Sequence, residues 1–140
     1  MKILFFCFLV VLLMGCKAQD FTLVKENELQ LNEGVFKEIP PAIADEDAYI
    51  QVNLNFNEFD AAKYKLLAIY FRNQIIPSKV NEDTFSISGS INKELTLIEN
   101  VEFPFKLQPN EVVLSYKKKN KIKYAKYTID RKISMDDIPR

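Results

Sequence analysis

From Tyr49 to Asn57 the chain alternates without a lapse: Ile50, Val52, Leu54 and Phe56 are apolar, and Gln51, Asn53, Asn55 and Asn57 are polar and uncharged. Successive side chains of a strand point to opposite faces, so this period of two describes a strand with one face in a core and the other toward water. A helix would instead gather residues three and four apart. Thr84 to Ile91 repeats the pattern, with Phe85, Ile87, Gly89 and Ile91 set against Thr84, Ser86, Ser88 and Ser90. Two half-exposed strands commit the chain to a sheet that needs apolar cover on one side.

Further β-rich runs surround these two. Glu28 to Glu38 alternates loosely, with Leu29, Leu31, Val35 and Phe36 around Asn32-Glu33-Gly34, and Pro40-Pro41 ends it. Leu95 to Ile98 and Val101 to Phe105 are β-rich pieces broken at Asn100 and Pro104. Val112 to Tyr116 and Ile122 to Ile129 flank Lys117-Lys118-Lys119-Asn120-Lys121, which predicts a hairpin with a basic tip.

Asp60 to Arg72 admits two readings. Asp60 could cap a helix with Ala61, Tyr64, Leu67 and Phe71 on one stripe, or Lys65 to Phe71 could be a strand. The strand is favoured, because Ile69-Tyr70-Phe71 is rich in β-formers and Arg72-Asn73-Gln74 reads as a tight turn before Ile75-Ile76. Pro77 then confines the returning arm to an edge or an end.

About seven short strands with closely spaced turns predict an all-β fold, an antiparallel β-sandwich, spanning 28–130 as one domain. A tether over 16–27 precedes it, with a short apolar patch at Phe21 to Val24 that could supply an edge strand, and a frayed tail over 131–140 follows. Both cysteines, Cys7 and Cys16, lie ahead of the domain, so packing rather than disulfides must hold it. The chain has no histidine, which removes the commonest general base and the commonest metal ligand.

Charge is balanced overall but unevenly placed. Cys16 to Asp60 holds three lysines against ten acids, and Ala61 to Arg140 holds fifteen basic residues against nine acids. This arrangement allows either an acidic and a basic face, or one half neutralising the other across the sheets.

The first fifteen residues have the parts of an export signal: Lys2, an apolar run from Ile3 to Met14, and small Gly15. At about 1.5 Å per residue the run reaches about 18 Å, short of a bilayer core of about 30 Å. Leu13-Met14-Gly15-Cys16 resembles the lipobox of bacterial lipoproteins, with Met14 where a smaller residue is commoner. The resemblance implies cleavage before Cys16, a diacylglycerol on its sulfur and acylation of the new amino group. It also implies the outer membrane where a cell has one, since Lys17 is not the aspartate of an inner-membrane retention signal. Ordinary signal cleavage after Ala18, following Cys16-Lys17-Ala18, is the alternative.

Leu107-Gln108-Pro109-Asn110-Glu111-Val112-Val113 resembles the corner of fibronectin type III domains, with Val113 in the place of the tyrosine. Over these seven residues the resemblance implies an immunoglobulin-like form of the sandwich.

Three groups are candidates for chemistry. Lys117, Lys118, Lys119, Lys121 and Lys123 could bind an anionic partner, or simply solvate a turn and discourage edge pairing. Asp45-Glu46-Asp47 and Glu82-Asp83 lack the alternating ligands and glycine of a calcium loop, so they read as connectors and no metal or cofactor is expected. Ser86, Ser88 and Ser90 read as the wet face of a strand. The expected function is therefore a non-enzymatic, lipid-anchored envelope module. Its expected partners are the membrane, through the anchor, and an envelope protein or polymer; export disfavours nucleic acid. A carboxylate-dependent hydrolase would need two carboxylates facing each other in a pocket, and a carrier of apolar ligands would need an internal cavity.

Overall fold

A computed structural model describes residues 20–40, 48–92 and 103–133, which contain nine strands and no helix. In chain order they are β1 (Leu31–Ile39), β2 (Tyr49–Phe56), β3 (Tyr64–Phe71), β4 (Gln74–Ile76), β5 (Ser78–Asn81), β6 (Ser86–Ile91), β7 (Glu111–Lys118), β8 (Lys121–Thr128) and β9 (Asp130–Arg131). They form two sheets, β5-β6-β2-β1-β9 and β4-β3-β7-β8, and every pair is antiparallel except β1 with β9. Taken as A, B, C, C′, D, E, F and G, strands β1 to β8 give the ABED and C′CFG orders of an immunoglobulin-like sandwich.

The alternating strands behave as their pattern dictates. Val52, Leu54 and Phe56 of β2 are buried, and so are Ile87 and Ile91 of β6. Their register sets Leu54 against Ile87 and Ile50 against Ile91 on the core side. On the opposite side Gln51, Asn53 and Asn55 stand against Ser90, Ser88 and Ser86. Asn53 and Asn55 are half-buried rather than open, because these rows of side chains shield one another. The inner faces meet in a core that includes Phe36, Ile69, Phe71, Leu114, Tyr127 and Ile129.

Gly89 marks where the chain changes sheets. β4 ends the second sheet, Pro77 follows, and β5 joins the first sheet with Ser78 opposite Gly89. A Cβ on Gly89 would lie 2.5 Å from Ile76 Cγ2 and 2.7 Å from the Pro77 carbonyl oxygen, so only a hydrogen fits beneath the crossing. Pro77, read as confining the arm to an edge or end, stands between the two strands, where its missing amide costs no ladder bond.

Asp60 to Arg72 is strand, and the structure explains its double signal. Asp60 does start a turn: its carbonyl accepts from the Lys63 and Tyr64 amides and its side chain from the Ala62 amide. The turn stops there and β3 begins. A bulge at Leu67 then separates the pairs Leu66–Tyr116 and Ala68–Ser115. The extra residue puts the core positions at Leu66, Ile69 and Phe71, a spacing neither strictly helical nor strictly alternating.

Both tight hairpins turn on left-handed residue pairs. Arg72 and Asn73 have φ of 47° and 60°, and Lys119 and Asn120 have 49° and 62°, as the two-residue type I′ turn requires. The basic connection is thus shorter than its composition suggested. Lys117 and Lys118 belong to β7 and Lys121 opens β8, paired with Lys118.

The second sheet also carries apolar side chains on its outer face. Tyr70, Val113 and Tyr124 are buried there with Phe105, under Phe21 and Leu23 on one side and Phe103 and Leu107 on the other. Phe105 meets Tyr70 edge-on at 5.2 Å and lies 5.5 Å from Tyr124. Residues 103–105, part of the run read as β-rich, lie across the sheet and are not in a strand. Leu95 to Ile98 falls outside the described residues. Leu23 bridges Tyr124 in parallel, and the Val24 amide donates to the Tyr124 carbonyl at 2.9 Å.

Leu54→Ala should lower stability by about 2–5 kcal/mol through lost burial and a residual cavity. Asn53→Ala should stay within about 0.5 kcal/mol of wild type. Equal denaturation midpoints with unchanged slopes would refute this facing. Gly89→Ala should destabilise by about 1–3 kcal/mol, because the contacted Pro77 oxygen belongs to the backbone and moves only with the crossing. An unchanged melt for that variant would mean the two sheets are not held together there.

Candidate functional site

The hairpin lysines divide according to the face on which strand alternation places them. Tyr116 and Leu114 face the core, so Lys118 of β7, and Lys123, the partner of Tyr116 on β8, continue the inner face at the open end of the sandwich. There both meet Glu28. Lys118 Nζ lies 2.6 Å and Lys123 Nζ 3.5 Å from Glu28 Oε1, and the Tyr116 hydroxyl donates to Oε2 at 3.3 Å. Lys118 also sits 5.2 Å above the Tyr64 ring. These two of the five candidate lysines hold the segment before β1 against the hairpin.

Electrostatics follow from this contact. The hydrogen bond from Lys118 holds the Glu28 carboxyl below its ordinary pKa against the opposing effect of burial, with Lys123 and the Tyr116 hydroxyl adding to the lowering. The same bond raises Lys118. Burial pushes the Tyr116 phenol well above its ordinary value, and the neighbouring Glu28 carboxylate adds to that.

Lys117 lies on the other side of the strand. Its cross-strand partners are Lys65 on β3 and Ile122 on β8, so two lysines stand directly opposite each other beside an isoleucine that is 47% exposed. Like charges so placed repel. Lys65 and Lys117, with Ala62, Lys63, Lys119 and Asn120, line an open depression of about 220 Å³. Lys63 is tied to Asp60 at 3.5 Å. Among the described residues no acid comes within ion-pair distance of Lys65, Lys117, Lys119 or Lys121. The arrangement suits an anion approaching from outside, because these exposed lysines have no acidic partner among the described residues.

Lys65, Lys63 and Glu28 escaped the sequence reading. Lys63-Tyr64-Lys65 is visible as a basic pair, but its position beside Lys117 depends on the β3–β7 register and on the bulge at Leu67. Glu28 is one acid among many before Asp60, and only the fold singles it out.

The other candidates sit elsewhere. Cys16 and Asp45-Glu46-Asp47 fall outside the described residues. Glu82 and Asp83 occupy an exposed turn closed by the Asn81 side chain, which accepts from the Asp83 and Thr84 amides. Ser86, Ser88 and Ser90 lie on the outer face of β6, facing the amides of β2, and Ser86 shares a hydrogen bond with Thr84 at 2.7 Å. Among the described residues no cluster of acids or cysteines could hold a metal ion.

The depressed Glu28 pKa fixes the sign of a pH effect. A carboxyl whose folded pKa lies below its unfolded value stabilises the fold above about pH 4 and loses that contribution as pH falls through the folded pKa. Glu28→Gln should therefore melt below wild type at neutral pH, and the gap should close as the solution is acidified. A gap that is constant from neutral to acid pH would show that the loss is steric. Comparisons with protein-family models, with curated proteins and with solved structures find no match for this chain.

Proposed function

We propose that this chain is a lipid-anchored envelope protein whose sandwich acts through its surface, without catalysis, by binding anionic material at the lysine-lined end. The observation that carries the binding reading is the row Lys65–Lys117–Ile122, which sets two exposed lysines at paired strand positions on the rim of an open depression. Anion binding is the chemistry that such a row favours, because neighbouring exposed lysines without acidic partners raise the local positive potential. The lipobox-like Leu13-Met14-Gly15-Cys16 supports the anchor.

The two alternatives have less support. Asp60 beside the depression and Glu28 inside the hairpin each face lysines rather than a second carboxylate. The mouth that a carrier would open is filled by rings: Phe59 lies 4.9 Å from Phe85 and 6.0 Å from Tyr64, and Tyr64 lies 6.0 Å from Tyr116.

A labelled fatty-acid analogue should enter wild type and not Cys16→Ala, and equal labelling would sink the anchor. The double variant Lys65→Gln/Lys117→Gln should be acylated and folded like wild type. It should be retained on anionic envelope material more weakly, by about 1 kcal/mol per lysine removed at low salt. Raising the salt should erase the difference by screening. Equal retention at low salt would move the partner surface elsewhere.

A further inference from the structure

The chain enters the sandwich at its basic end. The bridge between Leu23 and Tyr124 is parallel, so the segment runs in the direction of β8, and four residues on Asn27 has reached the Lys126 carbonyl, to which its side chain donates at 2.8 Å. Residues 20–22 therefore lie back toward Lys121, where β8 begins. Phe21 is still seated on the domain, its ring 5.3 Å from Tyr124. Only the links from Cys16 to Asp20 separate the proposed anchor from this end, and at about 3.6 Å per residue they span at most about 14 Å.

We infer that the anionic partner of the Lys65–Lys117–Lys119 end is the phospholipid surface of the leaflet that holds the chain's own anchor, so that the sandwich stands on its basic end. This deepens the proposed function and rests on acylation of Cys16. Three features select a membrane over a soluble polyanion. The tether is too short to carry the basic end much beyond one or two screening lengths, about 8–10 Å each, from the surface. Ile122 is exposed in the same row as Lys65 and Lys117, and an apolar side chain flanked by lysines suits the headgroup boundary. The depression is wide open, fit for many weak headgroup contacts rather than one enclosed ion. Glu28 is already engaged by Lys118 and Lys123, and Asp60 by Lys63, so these acids do not cancel the outer lysines.

The test uses the acylated chain with one fluorophore, since the cysteine of the export segment is cleaved away and Cys16 is blocked. The label goes on Ala62→Cys, at the depression, or on Thr128→Cys, at the far end of β8. The proteins are placed in phosphatidylcholine vesicles with or without phosphatidylglycerol and a quencher carried on the lipid headgroups. With phosphatidylglycerol present, quenching at position 62 should exceed that at 128. High salt, or Lys65→Gln/Lys117→Gln/Lys119→Gln, should remove the excess, each lysine weakening contact with the surface by about fivefold. Acylated protein quenched equally at both positions would overturn the orientation and leave the anchor intact. Release of position 62 by inorganic phosphate, but not by sodium chloride of equal ionic strength, would assign the lysines to a free anion and also overturn it. A chain that is not acylated overturns both this inference and the anchor.

Discussion

From Val112 to Tyr116, β7 has no face open to water. Val112, Val113, Leu114, Ser115 and Tyr116 are all buried, so the strand is covered on both sides and the rest of the chain is arranged to supply the cover. Its inner side chains meet the first sheet. Its outer ones, beside Tyr70 and Tyr124, are sealed by two segments that belong to no sheet, around Phe21–Leu23 and Phe103–Leu107. Ser115 is tolerated at this depth because its hydroxyl reaches the Ala68 carbonyl at 3.4 Å. Covering the outer face also draws the N-terminal segment along β8, which fixes where the chain enters the domain.

What could be read from the sequence was what local alternation encodes. β2 and β6 carry their facing in their residues, and so did the turn at Arg72-Asn73, which lacks glycine but has an asparagine able to take positive φ. A bulge was beyond reach: Leu67 differs little from Leu66, and only pairing with β7 shows which of them is extra. The outer cluster was beyond reach for a different reason. Phe103 and Phe105 have the composition of a strand, but Pro104 between them lacks an amide to donate, and their rings find partners across the sheet instead.

Charge shows the same division between local and tertiary information. Of the two arrangements that the uneven sequence allowed, neutralisation across the sandwich accounts for the two shortest ion pairs among the described residues, Glu28–Lys118 and Glu38–Arg131. Glu28 takes Lys118 and Lys123, and Glu38 takes Arg72 at 3.2 Å and Arg131 at 2.9 Å, each an acid from the first half with bases from the second. Arg72 is further held over the rings of Phe36 and Phe71, at 4.9 and 5.3 Å. Composition marked five hairpin lysines as one group. Alternation splits that group, sending Lys118 and Lys123 inward to Glu28 and leaving Lys117 outside with Lys65, a residue from another strand.

The proposed anchor on a short tether would change what those outer lysines need to do. A few lysines, each contributing about 1 kcal/mol near an anionic surface, are too few to hold a soluble domain there against the loss of its translational freedom. If Cys16 is acylated as proposed, the anchor would already have removed that freedom, and contact would become an intramolecular event at high effective concentration. The same modest attraction then has only to choose between orientations. Strong binding by the isolated domain is not required, nor is a deep site, and an open lysine-lined depression is sufficient. Such an orientation would turn the opposite end of the sandwich away from the bilayer. That end carries the Arg72-Asn73 turn and the Glu38 ion pairs, and it would be the part of the molecule presented to the rest of the envelope.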